Sequence, residues 1–112
     1  MSVFIPARVV RVKPDNSEFL ILASDNHITI QDWLREKRDK EDHAIATRLV
    51  TMAESASISD VERLTHLIEK RDEYIDLNSW VRNTIEDVSR GRTTGRHIYS
   101  ENLKIRIQVG EL

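Results

Sequence analysis

The chain has no cysteine. That absence removes disulfides, thiolate metal sites and a cysteine nucleophile together, and it fits a reducing cytosol. Aromatic side chains are few: Phe4, Phe19, Trp33, Tyr74, Trp80 and Tyr99. Any core must therefore rest mainly on isoleucine, leucine and valine. No apolar stretch approaches the roughly 18 residues of a membrane span. Residues 1–6 lack the charged start and long apolar run of a secretory leader. A soluble, cytoplasmic protein with no membrane role is expected. Internal repeats and low-complexity segments are also missing.

What is present suits one domain over residues 1–112, long enough to bury a core without staples. Hydrophobic residues make up 39% and charged residues 32%, a globular balance on the polar side. The formal net charge of −2 argues against a generic polyanion binder. Its distribution is uneven. Residues 54–76 hold seven acids against three bases, a net −4, whereas residues 90–112 hold five bases against two acids, a net +3. That split suits an electrostatic partner or head-to-tail self-association.

Val3 to Val12 is rich in β-branched residues, with Pro6 near its start, where a strand tolerates the missing N–H. Pro14-Asp15-Asn16-Ser17 is a cluster of turn formers. Glu18 to Ala23 then reads as a second strand, so a β-hairpin is expected. Its nearly continuous apolar run predicts that this second strand is the more central one. Thr29 with Asp32 marks a helix start, followed by Ile30, Trp33 and Leu34 on a buried side. Residues 35–43 then run without an apolar anchor. Either one helix spans them, supported by pairs such as Glu36 with Lys40, or the helix breaks and Asp39 caps a second one. The break is preferred, because Glu41 and Asp42 would then sit at the favourable end of the new helix dipole. Ile45, Leu49, Met52 and Ala53 form the stripe of that later segment.

Ser59 with Glu62 reads as a capping box for a helix through about Arg71, with Val61, Leu64, Leu67 and Ile68 at helical spacing. After a charged joint at Asp72-Glu73, Asn78 or Ser79 caps a last helix carrying Trp80, Val81, Ile85 and Val88. Gly91 falls just past its end, where a left-handed residue is wanted. Leu103 to Val109 alternates strictly, apolar at odd positions and polar at even ones, the period of a half-buried strand. With Ile98-Tyr99 it forms a closing hairpin or one bulged strand. The predicted fold is α+β: a small, mostly antiparallel sheet of N-terminal hairpin plus C-terminal strand or hairpin, with three to four helices on one face.

The chemistry-bearing residues gather near the C-terminus. Three arginines around two glycines and two threonines, Arg90 to Arg96, can wrap an anion: glycine admits backbone amides and arginine binds bidentately. Arg92 and Arg96, joined by the wet-face cations Lys104 and Arg106, are the candidate anion or nucleic-acid contacts. The run lacks the lysine-serine/threonine ending of a phosphate-binding P-loop. His27, His43, His66 and His97 show no metal-ligand spacing, so no metal or cofactor is implied. His97, near Arg92, Arg96 and Tyr99, is the one candidate general base.

Residues 59–71 and 78–90 followed by a basic hairpin also have the outline of a winged helix. The mixture of compact sheet, helices and scattered basic residues resembles small ribosome-dependent RNase toxins, although those place most strands after the helices. The enzymatic alternative is phosphodiester cleavage by a small RNase of toxin type, with His97 as base and Arg96 as phosphate clamp. The first expectation is different: a small non-enzymatic binding, regulatory or assembly module of bacterial or phage type, acting through protein contacts and homo-oligomeric. The alternative is nucleic-acid binding by the basic C-terminal end.

Overall fold

The computed structural model describes residues 4–111; Val3, the first residue of the expected opening strand, lies outside them. Six elements follow one another: β1 (Ala7–Val12), β2 (Glu18–Ser24), α1 (His27–Met52), α2 (Ile58–Ser89), β3 (Gly95–Ser100) and β4 (Ile105–Gly110). The α+β class is as expected, with one antiparallel sheet in the order β2-β1-β4-β3. The helix count is two, not three to four. Among the described residues no helix is long and apolar enough to cross a membrane.

The alternation of β4 does what its period requires. Ile105, Ile107 and Val109 are buried against the helices, joined by Ala7 and Val9 of β1 on the same face. From the helix layer, Ile30 and Leu34 of α1 and Tyr74, Leu77 and Val81 of α2 complete the core. Trp33 meets Tyr74 edge-to-face, with ring centres 6.4 Å apart, a geometry the ring quadrupoles favour. Trp80, Ile85 and Val88 pack partly buried against this core, so both tryptophans serve it.

The first hairpin turns where the turn formers predict. Ser17 donates through its amide and its hydroxyl to Asp15 Oδ1 at 2.9 and 2.6 Å, and Asn16 takes the left-handed backbone at φ 66. The expected centrality of β2 is corrected: it is an edge strand, with Phe19 and Leu20 exposed by 58 and 56%. An apolar run does not by itself imply cover on both faces. Here β4, the better alternating strand, occupies the inner edge of β1, and Lys13 covers the Phe19 ring from 5.9 Å. A register shift between Val9 and Val10 puts a bulge in the β1–β2 ladder, a device that blunts exposed edges.

The expected break at Asp39 is absent, and α1 is continuous. Its unanchored stretch lies against α2 and is met by charge: Glu41 pairs with Lys70 at 3.6 Å and Asp42 with Arg71 at 3.5 Å. Arg48 and Asp60 add a third cross-pair at 3.4 Å. Each such pair contributes at most about 1 kcal/mol, so their effect is mainly to fix the register of the helical hairpin. The caps also move. Asn26, not Thr29, caps α1, accepting from the Ile28 amide at 3.0 Å. Ser57, not Ser59, opens α2 through a reciprocal capping box with Asp60. Because α2 continues through Asp72-Glu73 and past Ser79, no cap forms at Asn78 or Ser79, and the winged-helix outline fails with it. The spacing of Tyr74, Leu77, Val81 and Thr84 keeps one buried face across that joint.

His27 opens α1, and its Nδ1 accepts a hydrogen bond from the Ile5 amide at 3.2 Å. Burial pushes its pKa below the ordinary 6.5. The unfolded chain therefore binds the proton first, so stability present above pH 6.5 falls as the pH drops from there towards the folded pKa. His27→Asn, which keeps an acceptor near Nδ1 and does not titrate, is expected to flatten this loss. Thermal melts from about pH 7 to pH 5 read it; parallel losses in both proteins would exclude His27 as the source. The lowered carboxyls of Asp15, Asp60 and Asp87 act in a separate window, below their ordinary 3.8.

Candidate functional site

The end of α2 and the start of β3 place the predicted arginines. Gly91 leaves the helix at φ 73, with its amide donating to Val88 O and that of Arg92 to Asp87 O. The turn brings Arg92 and Arg96 onto one carboxylate: Arg92 Nη1 reaches Asp87 Oδ1 at 3.0 Å and Arg96 Nη1 reaches Oδ2 at 2.6 Å. Hydrogen bonds from Arg96 and then Arg92 hold the Asp87 carboxyl below its usual range. The Gly95 amide donates to Thr93 Oγ1 at 3.3 Å. The amides of Gly91, Arg92 and Gly95 and the guanidinium groups of Arg92 and Arg96 already have partners within the protein.

Residues 95–97 belong to β3 rather than to a loop, and this separates the nuclease pair. Arg96 lies opposite Val109 and His97 opposite Gln108, so consecutive side chains point to opposite faces of the sheet. Arg96 joins the helix side, and His97 stands on the uncovered side. Arg96 and His97 are therefore not turned towards one another across a common site. Arg106 is also on the uncovered side, bonded to Glu18 Oε2 at 2.8 Å and lying over the Tyr99 ring at 5.9 Å. Beside it, Arg8 donates to Gln108 Oε1 at 3.2 Å. Both arginines of this face are thus bonded within the sheet.

Lys104 belongs with none of these. It precedes β4 in the β3–β4 turn, at the opposite end of that strand from the partner of Arg96, and lines a cleft between the sheet and the helices. The four predicted cations are thus split among three places.

Sequence reading missed the far end of the helical hairpin. Leu49 and Val61, expected in a buried stripe, are about half exposed, and Val50 and Ile58 beside them are exposed by 74 and 80%. Helical spacing assigned them a buried face without showing that the sheet stops short of them. Their one legible signal is position, each within a turn or so of a helix end. Among the described residues no group of three or more histidine, aspartate and glutamate side chains is gathered to hold a metal. No family model, curated protein or solved structure matches this chain.

Proposed function

We propose that the chain is a non-enzymatic assembly module that acts through protein contacts and pairs with a second copy of itself through the free end of its helical hairpin. One observation carries the reading: Leu49, Val50, Ile58 and Val61 are exposed together where α1 ends and α2 begins. Large apolar side chains left exposed at one end of a fold favour a contact site there.

The lengths explain why the end is free. The 32 residues of α2 extend about 48 Å, whereas a six-residue strand covers about 20 Å. From His66 onward α2 borders the turns at the sheet end, and Glu73 accepts from the Ser100 hydroxyl; the part before His66 projects past them beside α1, where Asp60 meets Arg48. Two copies stacked through that overhang complete a four-helix arrangement. Charge does not oppose it: residues 46–66 hold Arg48 and Arg63 against Glu54, Asp60 and Glu62, and Arg48 and Asp60 already neutralise each other.

Area sets the strength. An overhang of about 12 Å by the width of two helices, about 20 Å, offers about 240 Å² per copy. A standard stable interface buries about 800 Å² per partner. The dimer should therefore be reversible and depend on concentration. Sedimentation equilibrium is expected to show dimer growing with concentration, and Val50→Asp with Ile58→Asp to remain monomeric. A monomeric wild type up to about 1 mM, where even a −4 kcal/mol association is visible, would refute the reading.

A further inference from the structure

We infer that the cleft between the sheet end and the helical hairpin binds a small ligand bearing several phosphate charges, of the nucleoside polyphosphate class. The cleft encloses about 530 Å³, within the range of small-molecule sites. Five separate segments supply its basic side chains and its histidine. Arg11 comes from β1, Lys13 from the β1–β2 turn, Lys37 from α1, His66 and Lys70 from α2, and Lys104 from the β3–β4 turn. No aspartate or glutamate lines it.

The state of these cations differs from that of the C-terminal arginines. Arg90, Arg92, Arg96 and Arg106 each lie on a carboxylate. Among the described residues, Arg11, Lys13, Lys37 and Lys104 form no ion pair. Lys37 packs over the Trp33 ring at 5.5 Å. Lys70 alone of the five has an acidic partner, Glu41, which does not line the cleft. Like charges brought together without counter-charge repel, and a bound polyanion relieves that repulsion.

Lys104 adds an independent sign. Its φ is 55, the left-handed region where glycine or asparagine is the unstrained choice. Its carbonyl accepts from the Val12 amide at 2.8 Å, which fixes the backbone there. Backbone strain of this sort collects at binding sites, and here it falls on a residue whose side chain lines the cleft.

The ligand is small because of the charge elsewhere. With five positive charges in the cleft and a net −2, the rest of the chain carries a formal −7. A long nucleic acid leaving the cleft meets that field and is repelled, whereas a short phosphate chain held inside does not.

Isothermal titration calorimetry of the full chain with ATP, with inorganic tripolyphosphate and with a single-stranded oligonucleotide tests this. ATP and tripolyphosphate are expected to bind, more weakly as salt rises. Lys13→Ala with Lys104→Gly should weaken ATP at least tenfold, while Lys104→Gly alone keeps or raises the melting temperature because the backbone strain is relieved. Arg92→Ala with Arg96→Ala should leave the affinity within twofold. Absence of ATP and tripolyphosphate binding, or equal loss in the two double variants, overturns the inference. So does binding of the oligonucleotide alone, which would assign the cations to a nucleic-acid track.

Discussion

Gly110→Ala is expected to destabilise the fold by about 2–5 kcal/mol, the sum of two separate costs. Gly110 sits at φ 81, where an L-residue is disfavoured by about 1–2 kcal/mol. In addition, an added methyl group would collide with the Thr94 carbonyl oxygen and come within 2.9 Å of Gly95 Cα. Both obstacles are backbone, so neither can swing aside, and forcing extra volume into packed surroundings costs a further ~1–3 kcal/mol. Gly110 and Gly95 are opposed in the β3–β4 ladder, and their missing side chains let the strands close there. Gly91→Ala supplies the control. Gly91 has a similar φ of 73 but open space around its Cβ position, so it should lose only the backbone cost, about 1–2 kcal/mol. Urea denaturation of the two variants measures the difference; equal losses would show that the close approach to Thr94 contributes nothing.

Leu34→Ala should cost about 3 to 5 kcal/mol, the range for removing a buried leucine and leaving a cavity. Leu34 is fully buried in α1 and belongs to the same core as Val9, Val81 and Ile107. With a total stability of about 5–15 kcal/mol for a domain, this one change removes at least about a fifth of it. Leu49→Ala, half exposed at the hairpin end, should stay within about 0.5 kcal/mol in the monomer. The midpoint should shift without a change in denaturant slope for Leu34→Ala. Similar midpoints for the two variants would mean that the core does not lie where α1 crosses the sheet.

The contrast between these leucines shows where sequence pattern runs out. Alternation in Ile105–Val109 located a buried strand face, turn chemistry located the first hairpin, and Gly91 marked the end of α2. Each signal is contained in a few neighbouring residues. The continuity of α1 was hidden because what supports residues 35–43 is Lys70 and Arg71, on another helix. The edge position of β2 depends on which strand competes for β1, which its own composition does not encode. Similarly, Arg92 and Arg96 suggested an anion site until Asp87 was seen between them. The cleft cations were invisible as a group because Arg11 and Lys104 share no motif or period and meet only through tertiary structure.

The sheet order has a consequence for how the protein comes to be folded. Its two central strands, β1 and β4, are the first and last elements of the chain, and their ladder ends are fastened by Gly110 N–H to Pro6 O and Val12 N–H to Lys104 O, both 2.8 Å. The helical hairpin and the two β-hairpins join neighbours in sequence and can form early. The seam between β1 and β4 closes a loop of nearly the whole chain, which is slow for entropic reasons. Until it closes, Val9 and Ile107 have no common core, and each β-hairpin is marginal alone. The β1–β4 seam is therefore expected to be the last part of the sheet to close.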